Sequence, residues 1–205
     1  MKLSEKQLEI IRIAQTMFAK NGFEGTCVRD IAQATDINVA MINYYFGSKE
    51  NLLETIIKWG IETYKLNPSQ YESEEDPIYR LEKMVEHYVS SKINNPSVYQ
   101  ILISEASIRK RKINEELFTE LRKHNIECIR RVIEYGVQKG TFSTYDPILI
   151  HTTMIGTFMH FNYNRAFYEQ TLPKSHYDNF DDYLAEIIIK HLKFTIKAIL
   201  THENQ

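Results

Sequence analysis

Apolar residues recur at helical spacing along almost the whole chain, and the breaks between them carry helix caps and stops. Leu8, Ile11, Ala14, Met17 and Phe18, with charges between them, predict a first helix over 4–21. Ser4 can cap it with Gln7 closing a capping box, and Asn21-Gly22 can end it. Phe23 is expected to fold back onto it. Thr26 is expected to cap a second short helix ending near Ala34-Thr35, with Val28, Ile31 and Ala32 inward. Asp36-Ile37 then makes a turn, and Asn38 caps a third helix running to about Tyr45. Gly47 breaks the chain. Ser48 starts a long helix through Leu52, Leu53, Ile56, Ile57, Ile61 and Tyr64, expected to bridge two parts of the molecule.

Beyond it, the polar stretch Asn67 to Asp76 reads as a loop. Asp76-Pro77, Asn95-Pro96 and Asp146-Pro147 each pair a capping side chain with proline at the first helical position. They predict helices over 77–94, 96–108 and 147–169. A helical pattern over 113–138 closes at Lys139-Gly140, and a last helix is expected over 180–202. Its stripe comprises Leu184, Ile187, Ile188, His191, Leu192, Thr195, Ala198 and Ile199. The fold class expected is all-α, with roughly nine helices. Three short helices form an N-terminal helix-turn-helix part over 1–48. A longer helical domain spans 49–205.

Composition agrees with a soluble helical protein: 43% hydrophobic, 25% charged, and only seven Gly and five Pro. The start of the chain lacks a signal-peptide pattern, and no apolar run approaches the roughly 18–20 residues that span a bilayer. Cys27 and Cys128 have neither metal nor redox spacing, which fits a reducing cytoplasm. No pair of the seven histidines has metal-ligand spacing, so neither a metal nor a cofactor is expected. Gly-rich phosphate loops, nucleophile elbows and a paired acid and base are missing, which argues against an enzyme. Arg109-Lys110-Arg111-Lys112 is a basic run, read as a solvated helix end in preference to an anion contact.

The third helix has the chemistry of a reader of DNA. Ile42 and Phe46, with Ile37, can hold it from inside. Val39, Ala40, Met41 and Asn43 then face out. The first two suit thymine methyls, and Asn43 suits a base edge or a phosphate. Tyr44 and Tyr45 bring hydroxyls for phosphate, Thr26 and the amides at its helix start offer a second grip, and Lys49 opens the next helix. Against this stands the charge of residues 1–50, with six basic and six acidic side chains. A plain three-helix packing unit is the competing reading. Further on, Tyr88, Tyr99, Phe118, Met154, Phe158 and Phe161 supply aromatic and Met surface. Such residues make core, or an apolar pocket with His160 or Asn162 as polar anchor.

Residues Ile11 to Leu53 resemble the N-terminal signature of the TetR (tetracycline-repressor) family of bacterial transcription regulators. The likeness lies in Ala14, Phe18, Gly22-Phe23, Thr26, Val28-Arg29-Asp30-Ile31-Ala32, Ile37-Asn38 and Tyr44-Tyr45-Phe46-Gly47-Ser48-Lys49-Glu50-Asn51-Leu52. It implies a homodimer that represses promoters through two recognition helices, on a palindromic operator in double-stranded DNA. A divergent C-terminal domain would bind a small-molecule effector. Phosphate or backbone contact would fall to Thr26, Tyr45 and Lys49. Val39, Ala40, Met41 and Asn43 would lie near the bases, with Asn38 at the helix start and Arg29 near the groove. Asn43 departs from the family pattern, which often has Tyr there, and so shifts a phosphate contact toward Tyr44. Tyr45 stands where His is frequent. Apolar Val39 and Ala40 imply sparse direct readout and more shape readout.

The reading is therefore a cytoplasmic, ligand-responsive regulator. Helices over 147–165 and 180–202 are expected to build the dimer seam, two from each subunit. The rival readings are a small-molecule sensor or carrier that has lost specific DNA binding, and a helical enzyme.

Overall fold

A computed structural model of the chain describes residues 3–93, 96–107, 112–173 and 177–202. Among them lie ten α-helices, one 3-10 turn and no strand. The chain divides into two compact units: Met1–Tyr64 with Asn95–Leu121, and Lys65–Asn94 with Arg122–Gln205. This division follows packing and does not coincide with a cut by role at 48/49.

In the first unit, α1 (Glu5–Asn21) opens on the expected Ser4–Gln7 capping box. It buries Ile10, Ile11, Ala14 and Phe18, and ends at Gly22, whose φ of 74° suits glycine. Phe23 folds back, its ring 5.5 Å from that of Phe18. α2 (Val28–Ala34) and α3 (Val39–Phe46) follow, and α4 (Lys49–Tyr64) buries Leu52, Leu53, Ile56, Ile57, Gly60, Ile61 and Tyr64. Ser48 caps α4 by accepting from the Asn51 amide at 3.1 Å. α6 (Pro96–Ser107) packs on both α1 and α4. Val98 of α6 packs against Gly60 of α4, leaving no room for a side chain there.

One cap differs from expectation. Cys27, not Thr26, is the N-cap of α2: its sulfur accepts from the Asp30 amide, and the Asp30 carboxylate accepts from the Cys27 amide at 3.3 Å. Those bonds, the side-chain one foremost, hold the Asp30 carboxyl below its usual range. Thr26 is buried instead, with its hydroxyl 2.9 Å from the Gly22 carbonyl and 3.3 Å from that of Met17. A thiol is a weaker acceptor than a hydroxyl. Cys27→Ser is therefore expected to raise stability by about 0.5–1 kcal/mol, read as a higher melting temperature. An unchanged or lower value would show that the cap bond carries no net stability.

The second unit holds α5 (Pro77–Ile93), the rest of α7 (Lys112–Gln138), α8 (Pro147–Tyr163), α9 (Arg165–Thr171) and α10 (Phe180–Thr201). α10 packs on α5 and α8. Leu81, Met84, Val85, Tyr88 and Val89 are buried on α5, as are Leu184, Ile188, Leu192, Ile196 and Leu200 on α10. Asp76 and Asp146 cap α5 and α8, as their Asp-Pro steps predict, through amide bonds of 2.8 Å to Tyr79 and Ile148. Asn95 and the basic run Arg109–Arg111 lie outside the described residues.

Two predicted segments are corrected. The stretch 147–169 is two helices, because the Asn164 amide bonds the His160 carbonyl at 2.9 Å and its backbone leaves helical geometry. The expected loop 67–76 contains a 3-10 turn at Pro68–Gln70 and a wholly buried Tyr71. Arg80 ties it down through the Glu72 and Glu74 carbonyls, and Arg131 through the Glu72 carboxylate.

Candidate nucleic-acid interface and buried polar cluster

α2 and α3 form a helix-turn-helix whose corner is fixed from within. The Thr35 hydroxyl, buried, lies 2.8 Å from the Ile31 carbonyl, and the Ile37 amide reaches across the turn to the Ala32 carbonyl at 3.0 Å. Asp36 takes a left-handed conformation, φ 50°, which Asp tolerates better than most residues. Asn38 caps α3 by accepting from the Ala40 amide at 2.9 Å. Ile42 and Phe46, four residues apart, are buried and anchor the helix.

The opposite face of α3 is open. Ala40, Met41, Asn43 and Tyr44 are exposed, and Tyr44 is 80% exposed although it is a large aromatic. Asn38 and Arg29 are exposed as well, while Val39 and Tyr45 are half-buried. The Tyr45 ring sits edge-on to Tyr44 at 5.4 Å and to Phe46 at 6.3 Å, which sets its direction. An exposed aromatic beside an exposed amide on a helix held rigidly from behind can meet a polar partner surface at little entropic cost.

Thr26 and Lys49 are placed differently from the rest. Lys49 turns inward: its ammonium donates to the Phe23 carbonyl at 2.8 Å and the Thr26 carbonyl at 3.0 Å, 4.0 Å above the Phe23 ring. It ties the start of α4 to the corner between α1 and α2. Lys6 is also engaged, with Glu9 at 2.8 Å and the Thr35 carbonyl at 3.2 Å.

The residues proposed from sequence for a ligand fall in both compact units. Tyr99 and Phe118 are buried in the first unit, where Tyr99 meets Tyr64 at 6.0 Å. Tyr88, Met154 and Phe158 are buried in the second. The suggested polar anchors sit elsewhere: His160 is exposed and meets the Tyr168 hydroxyl at 3.1 Å, and Asn162 donates to the Phe158 carbonyl at 2.9 Å. Phe161 is half-buried, its ring 4.7 Å from that of Tyr168.

Sequence reasoning missed Lys92. It is 4% exposed, its ammonium 3.1 Å from the Tyr88 carbonyl and 3.3 Å from the centre of the Tyr88 ring. Burial pushes it down to about 7. His151, 6% exposed, stands edge-on to the same ring at 6.5 Å, pushed down to about 4 by burial and by the Lys92 and Arg122 charges. The signal was in the phase of α5: 81, 85, 88 and 92 share one face, so Lys92 falls on the buried stripe.

Among the described residues no helix is long and apolar enough to cross a membrane, and no group of His, Cys, Asp and Glu is placed to hold a metal ion.

The helix-turn-helix with its open α3 face, followed by a helical bundle, defines a helix-turn-helix DNA-binding protein. Residues 10–56 match the bacterial regulatory proteins of the tetR family, and residues 77–179 match the tetracyclin repressor-like C-terminal domain. The chain is 31% identical over 151 residues to the probable HTH-type transcriptional regulator YttP of Bacillus subtilis, covering 70% of each. It is 26% identical to the HTH-type transcriptional repressor NicS of Pseudomonas putida, over 76% of this chain and 74% of that one. Its fold is that of AibR, solved in complex with isovaleryl coenzyme A and operator DNA: TM-score 0.66, 19% identity, 91% of this chain and 97% of that one. The chain belongs to the TetR family, and is a DNA-binding transcriptional regulator and not an enzyme.

Proposed function

We propose that this regulator is a repressor that leaves a palindromic operator when a small hydrophobic or aromatic effector binds. The observation that carries the reading is the open face of α3, Ala40, Met41, Asn43 and Tyr44, on a helix pinned by Ile42 and Phe46. Val39, Ala40, Met41 and Asn43 meet bases. Tyr44 and Tyr45 grip phosphate, with Arg29 and Asn38 beside the groove, and Thr26 and Lys49 set the angle of the unit. Residues 1–48 serve DNA, and 49–205 serve effector and dimer. NicS, a relative, carries the name of a repressor, and AibR was solved with both operator and a small ligand.

Dimerisation through α8 and α10 is supported by apolar surface left on both. Ile148, Leu149 and Met159 on α8 and Phe194 on α10 are exposed. The stripe members Leu184, Ile188 and Leu192 are spent inside the subunit, whereas Ile187, His191, Thr195 and Ala198 are half or fully exposed. Two recognition helices about 34–36 Å apart would fit successive major grooves. An effector that favours a wider spacing would shift the population off DNA by its differential affinity.

The test is selection of genomic fragments by the purified protein near physiological salt. Enrichment of a short palindrome is expected. Asn43→Ala should weaken the selected site by about tenfold and relax preference at one position. Equal loss on selected and random DNA would remove Asn43 from the base readers. The sensor or carrier reading has one observation behind it, the six-to-six charge balance of residues 1–50 with Lys6 and Lys49 both engaged internally. Enrichment of a palindrome, bound more tightly than random DNA at the same salt, would exclude it, and no enrichment by a ligand-free dimer would favour it.

A further inference from the structure

We propose that a second copy of this chain packs its helices over Gly156, which makes this residue the point of closest approach between the two subunits. This rests on the dimer reading above and names the place on that seam that fixes its geometry. α8 runs from Pro147 to Tyr163 without one Asp, Glu, Lys or Arg, and with apolar residues on every side. A helix of that kind is covered on every side in the finished protein. Ile150, His151, Met154 and Phe158 are covered within the subunit. Leu149, Thr152, Gly156, Met159 and Tyr163 are exposed, at alternating spacings of three and four residues. The Thr152 hydroxyl is spent on the Ile148 carbonyl at 2.8 Å, so the threonine adds little polarity to the stripe. On α10, which packs on α8, Ile187, His191, Phe194 and Ala198 repeat the spacing, with Ile187 half-buried and the others exposed. Such a spacing is the seam of helices that pack along their length on other helices.

Gly156 stands in the middle of the α8 stripe. Glycine inside a helix weakens it relative to every residue but proline, so its presence there calls for a reason. The other two helical glycines have one within the subunit: Val98 fills the space beside Gly60, and Phe142 fills the space beside Gly136. At Gly156 a Cβ would meet no atom within 4 Å. The group that needs the space therefore lies outside the subunit. The lack of charge says what carries it. In a two-fold contact a patch meets itself, and any charge on it would be repeated opposite its like. A partner of another kind is commonly met with complementary charge, and neither stripe has any to offer. The exposed charges of α10, Glu186, Lys190 and Lys197, stand to one side of its stripe.

Sedimentation equilibrium of the full chain tests this. Gly156→Leu is expected to raise the dimer dissociation constant at least about 100-fold while the helical content of the protein is unchanged. Phe194→Arg, at a side chain 76% exposed, tests the seam itself without disturbing the core of the subunit. A dimer that Phe194→Arg breaks and Gly156→Leu leaves intact overturns the crossing at Gly156 and preserves the dimer reading. A wild-type dimer that withstands both variants, or a monomeric wild type, overturns both. Should Gly156→Leu not fold, Gly156→Ala decides. In a lone subunit alanine would only stabilise α8, because its methyl group meets open space. On the seam that methyl group is expected to weaken the dimer about tenfold, and an unchanged or tighter dimer overturns the proposal.

Discussion

Gly60→Leu is expected to lower the stability of the protein by about 3 kcal/mol and its melting temperature by roughly 6–12 °C. Gly60 is buried on α4, and a side chain there runs directly into Val98 of α6. Val98 is fully buried and β-branched, so it has neither room nor a free rotamer with which to yield. Leu102, one turn on, is within reach of the same Cβ and is also buried. Only the two helix backbones can move. α6 packs on α1 as well as α4, so a shift is passed to the helix against which the DNA-reading helices are set. Operator affinity should therefore fall with stability. Gly60→Ala is the instructive control. Its Cβ makes the same collision, but helix propensity returns about 1 kcal/mol, so its net loss should be clearly smaller. Melting curves and operator titrations of both variants test this. A Gly60→Leu protein that melts with the wild type would mean that α4 and α6 can separate freely, and that their contact does not position the reading helices.

What was legible in the sequence was what short-range chemistry decides. Ser4, Asn38, Ser48, Asp76 and Asp146 cap the helices they were expected to cap, because a cap bond spans only two or three residues. Ile42 and Phe46 could be placed inside by period alone. Where the sequence misled, a longer-range bond had intervened. Thr26 is a better cap than Cys27 in isolation, but its hydroxyl is taken by the end of α1, and the cap moves one residue along. Asn164 sits in a strongly periodic stretch, and its side-chain bond to the turn before breaks the helix there. For the effector set the limit is of a different kind. Period reports that Tyr88, Tyr99 and Phe158 are buried, but not which of them are neighbours, and Tyr99 belongs to the other compact unit. Lys92 was visible in principle, as a charge in phase with an apolar stripe.

Lys49→Met should cost about 1–2 kcal/mol of stability and about tenfold in operator affinity, while leaving the salt dependence of binding unchanged. The side chain is half-buried, so the figure is discounted from that of a fully desolvated charged hydrogen bond. What methionine removes is the ammonium shared between the Phe23 and Thr26 carbonyls and its contact with the Phe23 ring. What it keeps is the aliphatic stem. The loss loosens the join between α4 and the corner that leads into α2, so the recognition helix meets DNA at a less defined angle. A lysine that neutralises a phosphate behaves differently, since its removal lowers the salt slope by about 0.9. The slope thus separates a residue that positions the reading unit from one that touches the backbone of DNA. Phe23→Leu sharpens the comparison, because it removes the ring and leaves both carbonyls to hold the ammonium. Its effect on affinity should be the smaller of the two. Should Lys49→Met lower the slope by a full phosphate and leave stability untouched, the internal tie is broken when DNA binds, and Lys49 is a contact residue after all.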